Sequence, residues 1–304
     1  KIIAFAPKDP RGYYHLAILS LKTKKPDEAL KYANQALEAN PDFLPALQLM
    51  ATIYQNQKLP DQALKAIRQA LARSPKNPQL HQVLGELLLV QKHPQAAIAP
   101  LEEALKLNPR QESALGLLAL AYLQMANPDK AVKELEAKVA NPKTPPVLSL
   151  ALATVYEQQH NFEKAITLYN SLLARNMFAT LARNNLAYLL AEYQPTAENL
   201  QRARKLSADT LADHPEEPSF LDTMGWILCK QGNYTQAKPY LEKALGHASD
   251  QPAILYHLAY CETKLGETAA ARTSLQKALE SKVKFTEKEA AQKLLDSLPA
   301  ASGK

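Results

Sequence analysis

Residues 41–74 read PDFLPALQLMATIYQNQKLPDQALKAIRQALARS, and the landmarks of this stretch recur every 34 residues along the chain. A proline opens each period, an alanine follows later in it, and a small residue keeps the same step. The prolines are Pro7, Pro41, Pro75 and Pro109, and the alanines are Ala29, Ala63, Ala97, Ala131 and Ala165. A fixed period of this length predicts stacked helical hairpins that share one continuous core.

The composition favours an all-α protein and argues against several functional classes. The 304 residues include only 8 glycines and carry a formal net charge of +6. Helix formers therefore dominate, and no basic block is present that would follow a phosphate backbone. No stretch reaches the ~18 consecutive apolar residues of a membrane span. We expect no nucleic acid partner, no membrane span in this segment, no cofactor and no metal.

The repeats divide almost the whole chain. Eight of them are predicted within residues 10–285, followed by a capping helix over 286–298 and a frayed tail over 299–304. Residues 1–9 fit the tail of a preceding repeat, so the chain is interpreted as a fragment of a longer protein. The predicted repeats start near residues 10, 44, 78, 112, 146, 180, 218 and 252.

Each repeat carries a different signal on each of its two helices. The first helix has a large apolar residue before a small one, as in Met224 and Gly225, and the small residue lets two helices approach closely. The second helix begins at Phe162 or Tyr234 after an asparagine in two later repeats, where the asparagine can cap the helix. In the first four repeats it begins at a proline, which suits a first helical turn. These prolines are Pro26, Pro60, Pro94 and Pro128.

Two departures from the period have structural interpretations. Four extra residues lie between Ala187 and Ala203, and we place them in a longer surface turn around residues 192–199. Near the C-terminus, Thr286 and Glu289 have the spacing of a capping box. This box predicts the start of the capping helix, whose polar outer side would cover the last repeat.

The repeats resemble the tetratricopeptide repeat, and the resemblance covers nearly the whole chain. Local departures are Lys138, at a position where the pattern has alanine, and Pro142, which comes one residue early. The resemblance implies a right-handed α-solenoid of about eight hairpins, whose first helices line a concave groove that binds peptides or partner helices. The seventh repeat carries the pattern well, at Leu221, Met224, Gly225, Leu228, Ala237, Leu241 and Ala244.

A narrower resemblance concerns two segments of the sixth and seventh repeats. Residues 184–191, NNLAYLLA, and 220–226, FLDTMGW, are similar to a module of bacterial tetratricopeptide proteins. These include proteins of exopolysaccharide export and the PEP-CTERM sorting systems. The resemblance implies a bacterial protein, with a periplasmic or envelope-associated location favoured over a cytoplasmic one.

Helical spacing places aromatic, amide and charged side chains together on the groove side of the last three first helices. Rings supply contact area, and asparagine pairs with both groups of a peptide backbone. The alternative is that the rings pack between adjacent repeats. If they bind a partner, Trp226→Ala should abolish binding with little change in stability. The candidate partner-binding residues are Asn184, Tyr188, Asp222, Trp226, Lys230, Tyr256, Tyr260 and Lys264.

Other known kinds of site receive little support. Asn184 and Asn185 invite comparison with the carboxylate clamp of some family members, but Tyr256 occupies an inner position where a clamp needs a cation. The seven histidines are scattered without metal-ligand spacing, and no phosphate loop or catalytic nucleophile motif is present. Cys229 and Cys261 lie on different phases of their helices, so a disulfide between them is not expected.

Three functional hypotheses follow from the sequence. The leading one is a noncatalytic scaffold that binds a protein or peptide partner in the concave groove. The second is the regulatory or substrate-presenting portion of a larger enzyme, for example a glycosyltransferase. The third is a self-assembling structural protein whose partner is another copy of itself.

Overall fold

The computed structural model of the protein describes residues 8–41 and 43–299, which form helices and turns with no strand among them. The all-α fold predicted from the repeat period is therefore confirmed. The chain divides into an N-terminal unit, residues 1–155, and a C-terminal unit, residues 156–304. The predicted tail at residues 1–9 lies outside the described residues except at its last two positions, and the frayed tail except at Pro299.

The N-terminal unit consists of paired helices joined by short turns. Its helices are α1 (Pro10–Lys22), α2 (Pro26–Ala39), α3 (Leu44–Asn56), α4 (Pro60–Arg73), α5 (Pro78–Val90), α6 (Pro94–Leu107), α7 (Glu112–Leu123), α8 (Pro128–Val139) and α9 (Pro146–Gln158), of which the last extends past residue 155. α1 packs along α2, α3 along α4 and α5 along α6, and each pair then contacts the next helix in the chain.

The small residues of the period lie where the two helices of a hairpin meet. A β-carbon on Gly85 of α5 would lie 2.5 Å from Cγ of Leu101 on α6, so the two helices pack too closely there for a larger residue. α2, α4, α6 and α8 all begin at the prolines that the sequence singles out, which confirms those helix starts. The alanines of the period are completely buried at Ala29, Ala63, Ala97 and Ala131.

The C-terminal unit repeats the hairpin arrangement and ends in an additional helix. α11 packs along α12, α13 along α14 and α15 along α16, while α11, α13 and α15 contact one another in succession. The terminal helix α17 packs against α16. The helices are α10 (Phe162–Ala174), α11 (Ala179–Tyr193), α12 (Ala197–Asp213), α13 (Pro218–Lys230), α14 (Tyr234–His247), α15 (Pro252–Lys264), α16 (Thr268–Glu280) and α17 (Lys288–Ser297).

The four extra residues lengthen two helices, so the prediction of a longer surface turn is wrong. Only residues 194–196 separate α11 from α12, the same turn length as residues 231–233 between α13 and α14. α11 extends one residue further past Ala187 than α13 does past Gly225, and α12 begins three residues further ahead of Ala203 than α14 does ahead of Ala237. The side chain of Thr196 accepts a hydrogen bond from the backbone N–H of Asn199 at 3.1 Å, which fixes the start of the longer α12.

The caps expected at three other helix starts do not form. Asn161 and Asn233 precede α10 and α14, but neither side chain accepts a capping hydrogen bond. The capping box at Thr286 is also wrong, because α17 begins at Lys288 and the residue before it, Glu287, makes no side-chain cap. The Glu287 carboxylate is instead used in a contact with a distant helix.

Candidate functional site

The candidate residues all lie on α11, α13 and α15, the first helices of successive hairpins in the C-terminal unit. The structure brings the rings of Trp226 and Tyr256 together with that of His257, which the sequence prediction did not include. The Trp226 indole stacks on His257 with ring centroids 4.1 Å apart, and Tyr260 meets it edge-on at 5.2 Å. Because Trp226 is 3% exposed and Tyr256 is 9% exposed, these two rings belong to the core.

The buried indole is tied to the preceding repeat through its nitrogen. Trp226 Nε1 donates to Glu192 Oε2 at 2.7 Å, and Lys230 Nζ lies 2.9 Å from the same oxygen. The Lys230 ammonium also lies 4.7 Å from the centre of the indole. Glu192 occupies the last turn of α11. The Glu192 carboxylate of α11 therefore contacts both the Trp226 indole and the Lys230 ammonium of α13.

A half-buried aspartate and a buried histidine link α13 to α15. His257 Nδ1 lies 2.8 Å from Asp222 Oδ1, and only 2% of the histidine is exposed. Burial lowers the pKa of His257, but the Asp222 carboxylate outweighs this effect, so the pKa is raised overall. His257 Nε2 is buried and has no hydrogen-bond partner within the described ranges.

Tyr188 connects α11 to the segment that precedes the terminal helix. Its hydroxyl donates to Glu287 Oε1 at 2.9 Å across 99 residues of sequence. Burial, together with the Glu287 carboxylate, raises the pKa of Tyr188 far above its usual value. The tyrosine is half-buried, so its ring is shared between the core and the groove.

An open pocket of about 450 Å³ lies beside this core, and it is lined by the N-terminal halves of α13 and α15 and by the middle of α11. Three of the eight candidate residues line it, namely Asn184, Tyr188 and Asp222. The others form the core or its rim. Lys264, for example, is exposed and lies 5.5 Å from the centre of the Tyr260 ring. Additional lining residues that the candidate set lacks include Glu157, Asn185, Glu217, Ser219 and Ala253.

The pocket wall carries a network of polar groups. Asn185 Nδ2 donates to the Tyr169 hydroxyl at 3.0 Å, and that hydroxyl donates to the Glu157 carboxylate. Burial raises the pKa of Glu157 to about 7. Asn184 Nδ2 is 3.4 Å from Asn185 Oδ1, whereas Asn184 Oδ1 has no hydrogen-bond partner among the residues described. One amide oxygen beside the pocket is thus buried and unsatisfied.

The two cysteines lie in the core next to this site. Cys229 is 2% exposed, Cys261 is completely buried, and both are free thiols. Contact with the Cys261 thiol, together with burial, raises the pKa of Cys229. The different helical phases of the two residues thus do not keep their thiols apart.

Residues 8–41 and 43–299 contain no group of three histidine, cysteine or carboxylate side chains able to hold a metal ion. Within those same ranges, no helix is both long enough and apolar enough to cross a lipid bilayer.

Successive hairpins whose first helices contact one another define an α-solenoid protein built from helix–turn–helix repeats. A family model described as Tetratricopeptide repeat matches residues 20–87, 88–147 and 228–295, well over half of the sequence. The chain belongs to the tetratricopeptide repeat family. Proteins of this family are generally protein-interaction scaffolds.

Known relatives agree with this assignment over short stretches. A TPR repeat-containing protein from Synechococcus elongatus is 33% identical over 87 residues, covering 27% of this chain and 22% of the relative. Another, from Pseudomonas aeruginosa, is 35% identical over 83 residues, covering 26% of this chain and 13% of the relative. The chain thus matches less than a quarter of the length of either relative.

A solved structure with the same fold is the APC/C hetero-tetramer Cut9–Hcn1. It matches with a TM-score of 0.59 at 16% identity, covering 89% of this chain and 52% of that one. At this level of identity the similarity supports the fold alone.

Proposed function

We propose that this protein is a noncatalytic scaffold that binds an extended peptide or a helix of a partner protein in the groove of its C-terminal unit. The observation that carries the proposal is the open pocket of about 450 Å³ formed by α11, α13 and α15. A concave site assembled from successive first helices presents several side chains along one line, which suits a linear ligand.

The polar wall of the pocket provides the means of recognition. Asn184 lines the pocket, and its amide oxygen is buried in the wall without a hydrogen-bond partner among the described residues. A backbone N–H of a partner that enters the wall would satisfy this oxygen. Ser219 and Asp222, one turn apart on α13, offer further polar atoms. In this proposal the residues that contact the partner are Asn184, Tyr188 and Asp222. Trp226 and Tyr256 are buried in the core below them and hold the helices in position.

Selection of peptides by the full chain tests the proposal. A random peptide library displayed on phage is enriched against the protein, and the affinity of a selected peptide is measured by fluorescence polarisation. Ala253→Trp fills the pocket wall and should weaken binding at least about tenfold, and Asn184→Ala should weaken it by a few fold. Tyr240→Ala, an exposed ring on α14, is the matched control and should leave affinity unchanged. Selected peptides that bind Ala253→Trp as well as wild type would overturn the proposal.

The proposal also concerns the assembly to which the partner protein belongs. We infer from the module resemblance of residues 184–191 and 220–226 that the partner belongs to a bacterial envelope or exopolysaccharide-export assembly. The supporting result is a selected peptide whose sequence matches a protein of such an assembly. That peptide should also compete with the full-length assembly protein for binding to the groove. Selected peptides that match only proteins outside such assemblies would contradict it.

A second candidate function is the regulatory or substrate-presenting portion of a larger enzyme, as the sequence also allows. The full-length sequence tests this alternative, because a catalytic domain would display its own motifs. Self-assembly, the remaining alternative, predicts light scattering that rises with protein concentration, and a monomer at high concentration contradicts it.

A further inference from the structure

The connection between the last two helices is longer than its counterparts in the same unit. Seven residues, 281–287, separate α16 from α17, whereas four residues separate α12 from α13 and α14 from α15. The longer segment reaches back across the groove side to α11, because Glu287 accepts the hydrogen bond of Tyr188. We call residues 282–286 the strap.

The strap forms one wall of a second pocket that adjoins the open one. This pocket measures about 370 Å³ and shares Tyr188 and Asp222 with its neighbour. Val283, Lys284 and Phe285 contribute the strap side. A segment of the chain therefore already occupies one end of the groove in which we place the partner.

Two anchors hold the strap in place. Phe285 packs against the core cluster that contains Trp226, and Glu287 accepts the hydrogen bond of Tyr188 at 2.9 Å. Between the last turn of α16 and these anchors the attachment is weak. Val283 is 51% exposed, and the backbone N–H groups of residues 284–286 donate to no described residue. Segments with few buried contacts and few internal hydrogen bonds open at low cost in free energy.

The groove presents groups that a peptide could pair with. Its carboxylates include the exposed Glu217 as well as Asp222, of which Asp222 already contacts His257 through Oδ1, and no lysine or arginine lines the open pocket. His257, whose Nε2 is buried without an acceptor, lines the strap pocket. A basic side chain would complement the carboxylates, and a backbone carbonyl of an incoming peptide could accept from Nε2–H.

We propose that the strap occupies the place of the partner, and that the partner is an extended peptide with an aromatic side chain next to a basic one, which displaces the strap. The Lys284–Phe285 pair of the strap presents this chemistry to the same groove. The inference rests on the proposed peptide-binding function. It adds the class of ligand and an internal competitor that lowers the apparent affinity until it is released.

A labelled synthetic peptide with the sequence of residues 281–287, SKVKFTE, and blocked ends is the probe. Fluorescence polarisation measures its binding to the full wild-type chain and to Phe285→Ala, with circular dichroism as the check on folding. We expect Phe285→Ala to bind the peptide at least about tenfold more tightly than wild type. Replacing both lysines of the peptide by glutamate should remove that binding. Glu287→Gln weakens the Tyr188 contact that anchors the strap and should raise affinity by a few fold, which keeps the test valid if Phe285→Ala does not fold.

Several outcomes would overturn the inference, and they differ from those that overturn the proposed function. Equal affinity of wild type and both folded variants would mean that the strap does not compete, while groove binding of library-selected peptides could still hold. No binding of the SKVKFTE peptide by any variant would show that the strap does not mimic the partner. A wild-type dimer that Phe285→Ala converts to a monomer would assign the strap to a second copy of the chain.

Discussion

Nε1 of Trp226 donates a 2.7 Å hydrogen bond to Oε2 of Glu192, 34 residues earlier, so the only tryptophan of the chain is fixed to the last turn of α11. Glu192 lies five residues after the small residue Ala187, as Lys230 does after Gly225, so the carboxylate occupies an ordinary last-turn position of a first helix. It holds adjacent repeats together beneath the groove.

Removal of the indole should destabilise the protein strongly. Trp226→Ala is expected to cost about 3–5 kcal/mol, since the ring is 3% exposed and stacked on His257. Trp226→Phe keeps a ring but loses the donor to Glu192, and should cost about 1–2 kcal/mol. Urea denaturation followed by circular dichroism measures both. Tyr240→Ala is the exposed control, and equal stabilities of Trp226→Ala and wild type would contradict the burial of the ring.

The stability of the C-terminal unit should fall as the pH rises through the range in which Glu157 ionises. Burial raises its pKa from an ordinary 4.5 to about 7, so the folded chain holds a proton that the unfolded chain releases between these values. Glu157→Gln cannot ionise. From pH 5 to pH 8 it should therefore gain about 2 kcal/mol of stability relative to wild type.

Urea midpoints at the two pH values test this expectation. His257 is present in both proteins, so its own titration cancels in the difference. Glu163→Gln, at an exposed position of α10, is the control and should differ from wild type by less than about 0.5 kcal/mol at each pH. A constant difference between Glu157→Gln and wild type would show that the carboxyl is not desolvated.

Two glycines on helices of the N-terminal unit should respond oppositely to alanine. A β-carbon at Gly85 would lie 2.5 Å from Leu101 Cγ, so Gly85→Ala is expected to destabilise the chain by about 1–3 kcal/mol. Gly116 on α7 has nothing within 4 Å of its added β-carbon, so Gly116→Ala should stabilise by up to about 1 kcal/mol. Thermal denaturation compares them, and a stabilised Gly85→Ala would contradict the close packing of α5 on α6.

Much of the fold could be predicted because its determinants are local. Prolines such as Pro26 and Pro60 set helix starts through their own geometry, and the small residues identify the contact within a hairpin. The insertion was misplaced because a count of residues between landmarks does not say whether the extra ones join a turn or a helix. The predicted capping box does not form, because α17 begins at Lys288 and Glu287, not Thr286, is the residue that precedes the helix.

The site was predicted less completely than the fold. Helical spacing places the candidate residues on one side of α11, α13 and α15, but it cannot tell a ring that lines a groove from one that other side chains cover. Trp226 is covered by His257 and Tyr260 from the next repeat, which only the packing of α13 on α15 reveals. Ser219, three residues before Asp222, was within reach of the same spacing argument.

Photo-crosslinking shows directly where a linear partner binds, and so tests whether it lies in the groove of the C-terminal unit. A library-selected peptide carrying a benzophenone side chain is irradiated with the full chain, and the crosslinked residues are identified by mass spectrometry. The account predicts crosslinks within residues 184–188, 219–223 and 251–257, which competing unlabelled peptide removes. Crosslinks confined to the second helices of the hairpins or to the N-terminal unit would contradict it.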